Sequence, residues 1–272
     1  MEILIGFVIG IVLGLTGAGG SVFAVPLFLL LTNFSISEAM GIALGAVAVS
    51  AVYGTLSGGR KTVLWVPALL LAGGGMLAAP LGRLAAAYVD DVYLLFGFSI
   101  LAIVIAGRMW LQTKAHPEHS EIVRGTTGDE SGKPSTLICR LSPSGQFQLK
   151  PRCLSGLLAG GVTVGFVSGL FGVGGGFLIV PLLIYLSQLN MRIAVSTSLF
   201  VIAMISSVGF AGHIYLSESL AWQPLAVIFV AAIAGMMASQ FFAKKIAGVT
   251  LQKIFAVSLF SVSIITLLGR LL

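Results

Sequence analysis

Hydrophobic positions in this chain run in long stretches with no recurring polar stripe. They cover Ile3 to Leu31, Ile36 to Leu56, Val63 to Ala85, Val92 to Leu111, Leu154 to Leu186, Ile193 to Ala211, Ala221 to Phe242 and Val249 to Leu268. Apolar runs of about 20 residues predict helices that cross a bilayer, and nothing in them alternates as the polar lumen face of a β-barrel would. The eight stretches fall into two sets of four. This divides the chain into a first membrane repeat (1–111), a polar loop (112–152) and a second membrane repeat (153–272). The loop is rich in Gly, Ser, Thr and Pro. Within it, Leu137 to Leu141 and Phe147 to Leu149, separated by Ser142-Pro143-Ser144-Gly145, predict a small hairpin.

The first and fifth stretches are interrupted in the same way. Gly14-Leu15-Thr16-Gly17-Ala18-Gly19-Gly20-Ser21, then Pro26, recurs 155 positions later as Gly169-Leu170-Phe171-Gly172-Val173-Gly174-Gly175-Gly176, then Pro181. The duplication continues at that offset: Ala39 matches Ala194, Leu44 matches Leu199 and Gly54 matches Gly209. Trp65 and Pro67 match Trp222 and Pro224 at 157. Two copies at so long a period are too few for a solenoid and fit the paired halves of a transporter fold.

Composition agrees with this pattern. The chain has 272 residues, 57% hydrophobic and 9% charged, with a mean hydropathy of +1.08; soluble domains carry about 25% charge. The fold class expected is an all-α polytopic membrane protein. Seven of the fifteen Lys and Arg lie between Arg108 and Arg152, so the net charge of +6 reads as a topology signal and not as a nucleic-acid surface. If all eight stretches span, the other basic residues divide three to five about the loop and show no bias. If each interrupted stretch is a re-entrant hairpin, Arg60, Lys61, Arg192, Lys244, Lys245 and Lys253 join the loop's face and only Arg83 and Arg270 oppose it. That split obeys the positive-inside rule, with a cytoplasmic loop, inverted halves and both termini outside. At the helical rise, Ile3 to Leu15 extends about 20 Å and Val22 to Leu31 about 15 Å, each near half of a hydrocarbon core.

Non-helical backbone at membrane depth leaves amides and carbonyls unpaired unless protein or a water-filled cavity satisfies them. A chain that re-enters a helix near Ser21 and near Gly176 presents free N–H groups and a partial positive charge there. Two such ends meeting near the midplane would hold an anion without a buried Lys or Arg. Gly17, Gly19, Gly20, Gly172, Gly174, Gly175 and Gly176 are therefore candidate ligand-facing residues, with Pro26 and Pro181 as hinges. Gly6, Gly10 and Gly14, like Gly156, Gly160 and Gly165, read instead as close-packing positions between helices. No Gly-Lys-Ser or Gly-Lys-Thr follows either cluster, which excludes a phosphate-binding P-loop.

The paired Gly-Leu-x-Gly-x-Gly-Gly motifs, each followed by a proline and separated by a polar loop, resemble those of the sulfite exporter TauE/SafE family of membrane permeases. The resemblance covers both halves, essentially everything outside Gln112 to Arg152. It implies transport of small sulfur-containing anions such as sulfite or organosulfonates across the bacterial inner membrane, in a multi-pass protein, without fixing the substrate.

Ser196-Thr197-Ser198, with Ser206 and Ser207 beyond, offers hydroxyl donors to an anion at no cost of burying a charge; the alternative is that they bond back to their own helix. Ser21 and Thr16 are candidates beside the first break, and Ser50 and Ser57 are weaker ones. No Asp or Glu lies well inside a stretch. His213 is then the candidate for proton coupling, against a plain interfacial histidine. Arg83 is expected to snorkel to the surface beside Asp90 and Asp91. Trp65, Tyr88, Tyr93, Tyr215 and Trp222 read as interface anchors. His116 and His119 lack a third ligand, so no metal is expected, and no cofactor or catalytic residue is nominated. Cys139 and Cys153 are expected to be reduced thiols if the loop is cytoplasmic. Glu2 stands where a cationic leader segment would begin, so the first stretch is expected to remain in the protein. The expected partners are a small anion, the bilayer and a second copy of the chain, with no nucleic acid. The competing readings are a cation-coupled importer of a related solute and a non-transporting membrane scaffold or sensor.

Overall fold

A computed structural model describes residues 1–17, 20–32, 34–58, 63–90, 92–94, 96–101, 103–104, 107, 140–141, 147–148, 151–187, 191–216, 222–243 and 257. Its helices are α1 (Glu2–Thr16), α2 (Gly20–Leu31), α3 (Ile36–Ser57), α4 (Trp65–Ala86), α5 (Pro151–Phe171), α6 (Gly176–Ser187), α7 (Met191–Leu216) and α8 (Trp222–Ala243). Four segments are long and apolar enough to cross a membrane: Ser37–Ser57, Trp65–Ala86, Cys153–Phe171 and Ile193–Tyr215. Glu2–Thr16, Val92–Leu101 and Leu225–Phe241 are shorter apolar helices. Large apolar side chains point outward along them, with Leu77 79% exposed and Val230 68% exposed. Such a surface is what lipid contact requires and water penalises.

The two most extensive helix contacts are α4 with α5 and α1 with α8, followed by α3 with α7. Glycines make the first two possible. A Cβ added to Gly6 would lie 2.6 Å from the carbonyl oxygen of Ile228, and one added to Gly161 would lie 2.6 Å from that of Leu71. Gly10 abuts the Ala232 carbonyl and Gly165 that of Gly75; Gly14 meets Ser239 and Gly169 meets Ala79. Backbones that approach this closely gain dispersion contacts and leave no room for a side chain. The packing expected of Gly6, Gly10, Gly14, Gly160 and Gly165 is thus present, with Gly160 against Leu182.

The same contacts fix the directions. Along α1, Gly6, Gly10 and Gly14 meet Ile228, Ala232 and Ser239 in ascending order, so α1 and α8 are parallel. Likewise α4 and α5 are parallel. Gly41 abuts His213, Gly209 faces Leu44 and Gly54 faces Leu199, so α3 and α7 are antiparallel. Finally α8 runs with α3, from Gly45 against Phe229 to Gly54 against Met236. Trp65 on Phe200 and Gly75 on Ile205 align α4 with α7.

Between the helical sets, Arg140–Leu141 and Phe147–Gln148 pair antiparallel, with Arg140 opposite Gln148 and Leu141 opposite Phe147. This is the small hairpin the sequence predicts. Cys153, fully buried in the first turns of α5, is disulfide-bonded, and the chain's one other cysteine is Cys139, which lies outside the described residues. The expectation of reduced thiols is therefore corrected.

Candidate functional site

The first glycine turn ends α1. Gly17 adopts φ 65°, a left-handed conformation that costs a side chain energy, and its N–H closes the helix on the Leu13 carbonyl at 2.7 Å. Ala18 and Gly19 lie outside the described residues. By Gly20 the chain has doubled back: a Cβ there would lie 2.6 Å from the Ile9 carbonyl oxygen, deep alongside α1. Gly17 itself presses on Val195 of α7, and its carbonyl accepts a 2.8 Å hydrogen bond from Ser198 Oγ. Ser198 also donates to Val195, while Thr197 Oγ1 accepts the Leu64 N–H at 3.2 Å. Two of the three hydroxyls in the Ser196-Thr197-Ser198 triplet thus brace the turn and the start of α4.

The second turn is the more strained. Gly172, Gly174 and Gly175 have φ of 66°, 66° and 64°. The Val173 N–H reaches the Ser168 carbonyl at 3.3 Å, and α6 begins at Gly176. Gly172 presses on Met40 of α3 as Gly17 presses on Val195 of α7, and residues 40 and 195 are counterparts at the repeat offset. A Cβ on Gly175 would lie 3.1 Å from that of Ser168. Ser168 is 1% exposed, and its hydroxyl has no hydrogen-bond partner among the described residues; Ser206, fully buried in α7, is in the same condition. Buried hydroxyls are seldom left unpaired, so these two are available to a polar ligand.

The structure does not bring the two turns together. Val195, beside the first turn, and His213, beside the Met40–Gly41 step at the second, lie five turns apart on α7, roughly 27 Å at the helical rise. The expectation of two turn tips meeting near the midplane is corrected on this point, because the turns pack toward opposite ends of α7, and α5, with 21 residues, runs nearly the full length of the 22-residue α4. It is the returning helices, α2 and α6, that touch each other. Pro26 is buried within α2 and Pro181 falls within α6.

Other candidates divide by what they bond. Thr16, Ser50 and Ser57 donate to carbonyls one turn back in their own helices, at 2.7, 2.7 and 2.8 Å. Ser207 is exposed. Nothing is described of the side chain of Ser21. His213 is buried among the helices, and Arg83 is engaged there and not with Asp90. Its Nη2 donates to Ser37 Oγ at 2.9 Å and lies 3.2 Å from His213 Nδ1, because α4 packs beside α7 where α3 begins. The serine before the second motif, Ser168, was not among the sequence candidates. Its first-half counterpart is Leu13, and that asymmetry was the available signal.

Comparison with known proteins places this geometry. The chain matches the family described as Sulfite exporter TauE/SafE over residues 2–266. A probable membrane transporter protein of Xylella fastidiosa (strain 9a5c) is 31% identical over 214 residues, covering 76% of this chain and 72% of the relative. The probable membrane transporter proteins YunE and YdhB of Bacillus subtilis (strain 168) are 29% and 28% identical. They align over 78% of this chain and 76% and 77% of their own lengths. No solved structure matches. With its apolar, outward-facing helices and its paired glycine turns, the chain belongs to the TauE/SafE sulfite exporter family of membrane transporters.

Proposed function

We propose that this transporter moves a small sulfur-containing oxyanion, sulfite or an organosulfonate, across the bacterial inner membrane, and that the anion is held at the glycine-flanked starts of α2 and α6. The observation that carries the reading is the second turn. Three left-handed glycines lead into a helix N-terminus beside a buried serine whose hydroxyl is unsatisfied among the described residues. Amide N–H groups and hydroxyls stabilise an anion without the cost of burying a fixed charge. The family's description supports a sulfur oxyanion as the cargo. Gly172, Gly174, Gly175 and Gly176, with Ser168 beside them, form one station for the anion; Gly17, Gly19, Gly20 and Ser21, supported by Ser196, Thr197 and Ser198, form a second toward the other end of α7, and the buried Ser206 lies between the two along that helix.

The halves are inverted repeats with re-entrant openings. Counterpart helices α3 and α7 run antiparallel, which a two-fold axis in the membrane plane produces. Because α1 and α3 both run with α8, α2 has to return the chain. The first half's α1 is packed on the second half's α8, and the second half's α5 on the first half's α4, so rigid rocking of one half against the other would tear the largest contacts. The moving parts are instead the return arms α2 and α6, with Pro26 and Pro181 as their hinges.

The test is flux in proteoliposomes with sulfite, sulfate, thiosulfate, sulfonates and carboxylates. Saturable flux of a sulfur oxyanion is expected, reduced in Ser168→Ala and abolished in Gly174→Leu with membrane insertion intact. Flux of cations or neutral solutes alone would defeat the anion reading. Flux driven only by an imposed cation gradient would replace it with coupled import.

A further inference from the structure

The charged group nearest the second turn is Arg83, and its setting is unusual. Its backbone nitrogen lies 3.0 Å from the position a Cβ would take on Gly169, the first residue of the second motif. Its Nη1 is 3.9 Å from Sδ of Met40, the side chain against which Gly172 packs. Nη2 is held by Ser37 Oγ and His213 Nδ1. These three partners are acceptors that fix the guanidinium without neutralising it. An arginine is never deprotonated in practice, so Nδ1 accepts and the imidazole keeps its proton on the other nitrogen.

No carboxylate pairs with Arg83 among the described residues. The closest acidic side chain in sequence to its partners, Glu38, is engaged by Ser35, its Oε2 taking the Ser35 N–H at 2.9 Å and the Ser35 hydroxyl at 2.7 Å; its charge acts across space on His213, but it makes no ion pair with Arg83. Five N–H groups in a planar fork, with three engaged, leave donors for an incoming oxyanion. Arg83 is half-buried and Ser37 is exposed, so the group is reached from water at the face where α3 begins. The counterpart of Arg83 in the second half is Gln240, which bonds Ser57, so the feature belongs to one mouth only.

We propose that Arg83, oriented by Ser37 and His213, is an oxyanion docking site at the mouth beside the second glycine turn, the station from which the anion passes to the amides at Gly174 to Gly176. The inference rests on the anion-transport reading above. A charge-assisted contact of this kind amounts to about tenfold or more in apparent affinity. Arg83→Gln is therefore expected to raise KM for sulfite flux by about that factor with kcat little changed, and Arg83→Lys to recover part of the loss.

Ser37→Asp supplies a second variant that keeps the arginine. It sits in the first turn of α3, where an acidic residue suits the helix dipole, and is expected to raise KM by pairing with Arg83. Saturable sulfite flux with unchanged KM in correctly inserted Arg83→Gln, or in Ser37→Asp should the first variant not fold, would overturn the inference while leaving the transport reading intact. Absence of saturable anion flux in the wild type would overturn both. Running each protein in phosphatidylcholine vesicles with and without phosphatidylglycerol separates a transported anion from a lipid phosphate. A KM defect that persists without the anionic lipid supports the proposal, and one that appears only with it refutes the docking of substrate.

Discussion

Ser198 shows how a single hydroxyl spans the two halves. Its bond to the Gly17 carbonyl satisfies an acceptor freed where α1 ends, and a buried acceptor left alone is costly. Ser198→Ala is expected to lower stability by about 1 kcal/mol, seen as a lower thermal midpoint in detergent, whereas Ser196→Ala leaves it unchanged. The serine-threonine triplet was legible as important from its sequence, but not its role: a hydroxyl that braces a turn and one that grips an anion are the same letter. The left-handed glycines were more legible, since consecutive glycines in an apolar run have few other uses. Ser168 was hidden because nothing local distinguishes a satisfied buried serine from an unsatisfied one.

At the level of elements, helix ends and helix faces obey different signals. Helix α3 opens with a capping box, in which Ser35 Oγ accepts the Glu38 N–H at 3.3 Å and Glu38 reaches back to Ser35. Ser35→Ala is expected to cost about 1 kcal/mol, measured by thermal unfolding, with partial rescue by Ser35→Asn. Faces are set by glycine: Gly10→Leu would drive a side chain into the Ala232 carbonyl, and the expected outcome is loss of folded protein on size-exclusion chromatography. Hydrophobicity revealed where helices run but not where α1 stops and α2 returns, because both arms are equally apolar. Nor did it reveal depth. The half-length estimate for the arms put the tips at the midplane, whereas α5 extends over 21 residues beside a partner of 22, and the two turns pack toward opposite ends of α7.

For the whole molecule, the duplication proposed above rests on matched residues at a fixed offset, and the proposed direction of the halves on the count of basic residues and the antiparallel run of α3 and α7. Which helix meets which was not readable, since partners in the largest contacts belong to opposite halves. Opposite faces for the N-terminus and the central loop are expected if the openings are re-entrant. In a chain whose two native cysteines are replaced by serine, cysteines placed one at a time near Glu2 and near Gly128 should react with an impermeant maleimide from opposite sides. Labelling from the same side would rule out the re-entrant arrangement. Charge bias and the Cys153 disulfide pull the absolute orientation in opposite senses, because a disulfide favours an oxidising compartment. The expected outcome follows the charge: the loop is labelled only after permeabilisation.

The cross-packing of α1 on α8 also sets a timetable for birth in the membrane. At roughly 5–20 residues per second of synthesis, α1 is made on the order of ten to forty seconds before α8 exists. Through that interval its glycine-lined groove has only lipid, or an attendant insertion factor, to cover it. Neither half can close its own longest seam, so the two made as separate chains should be degraded alone and persist when produced together.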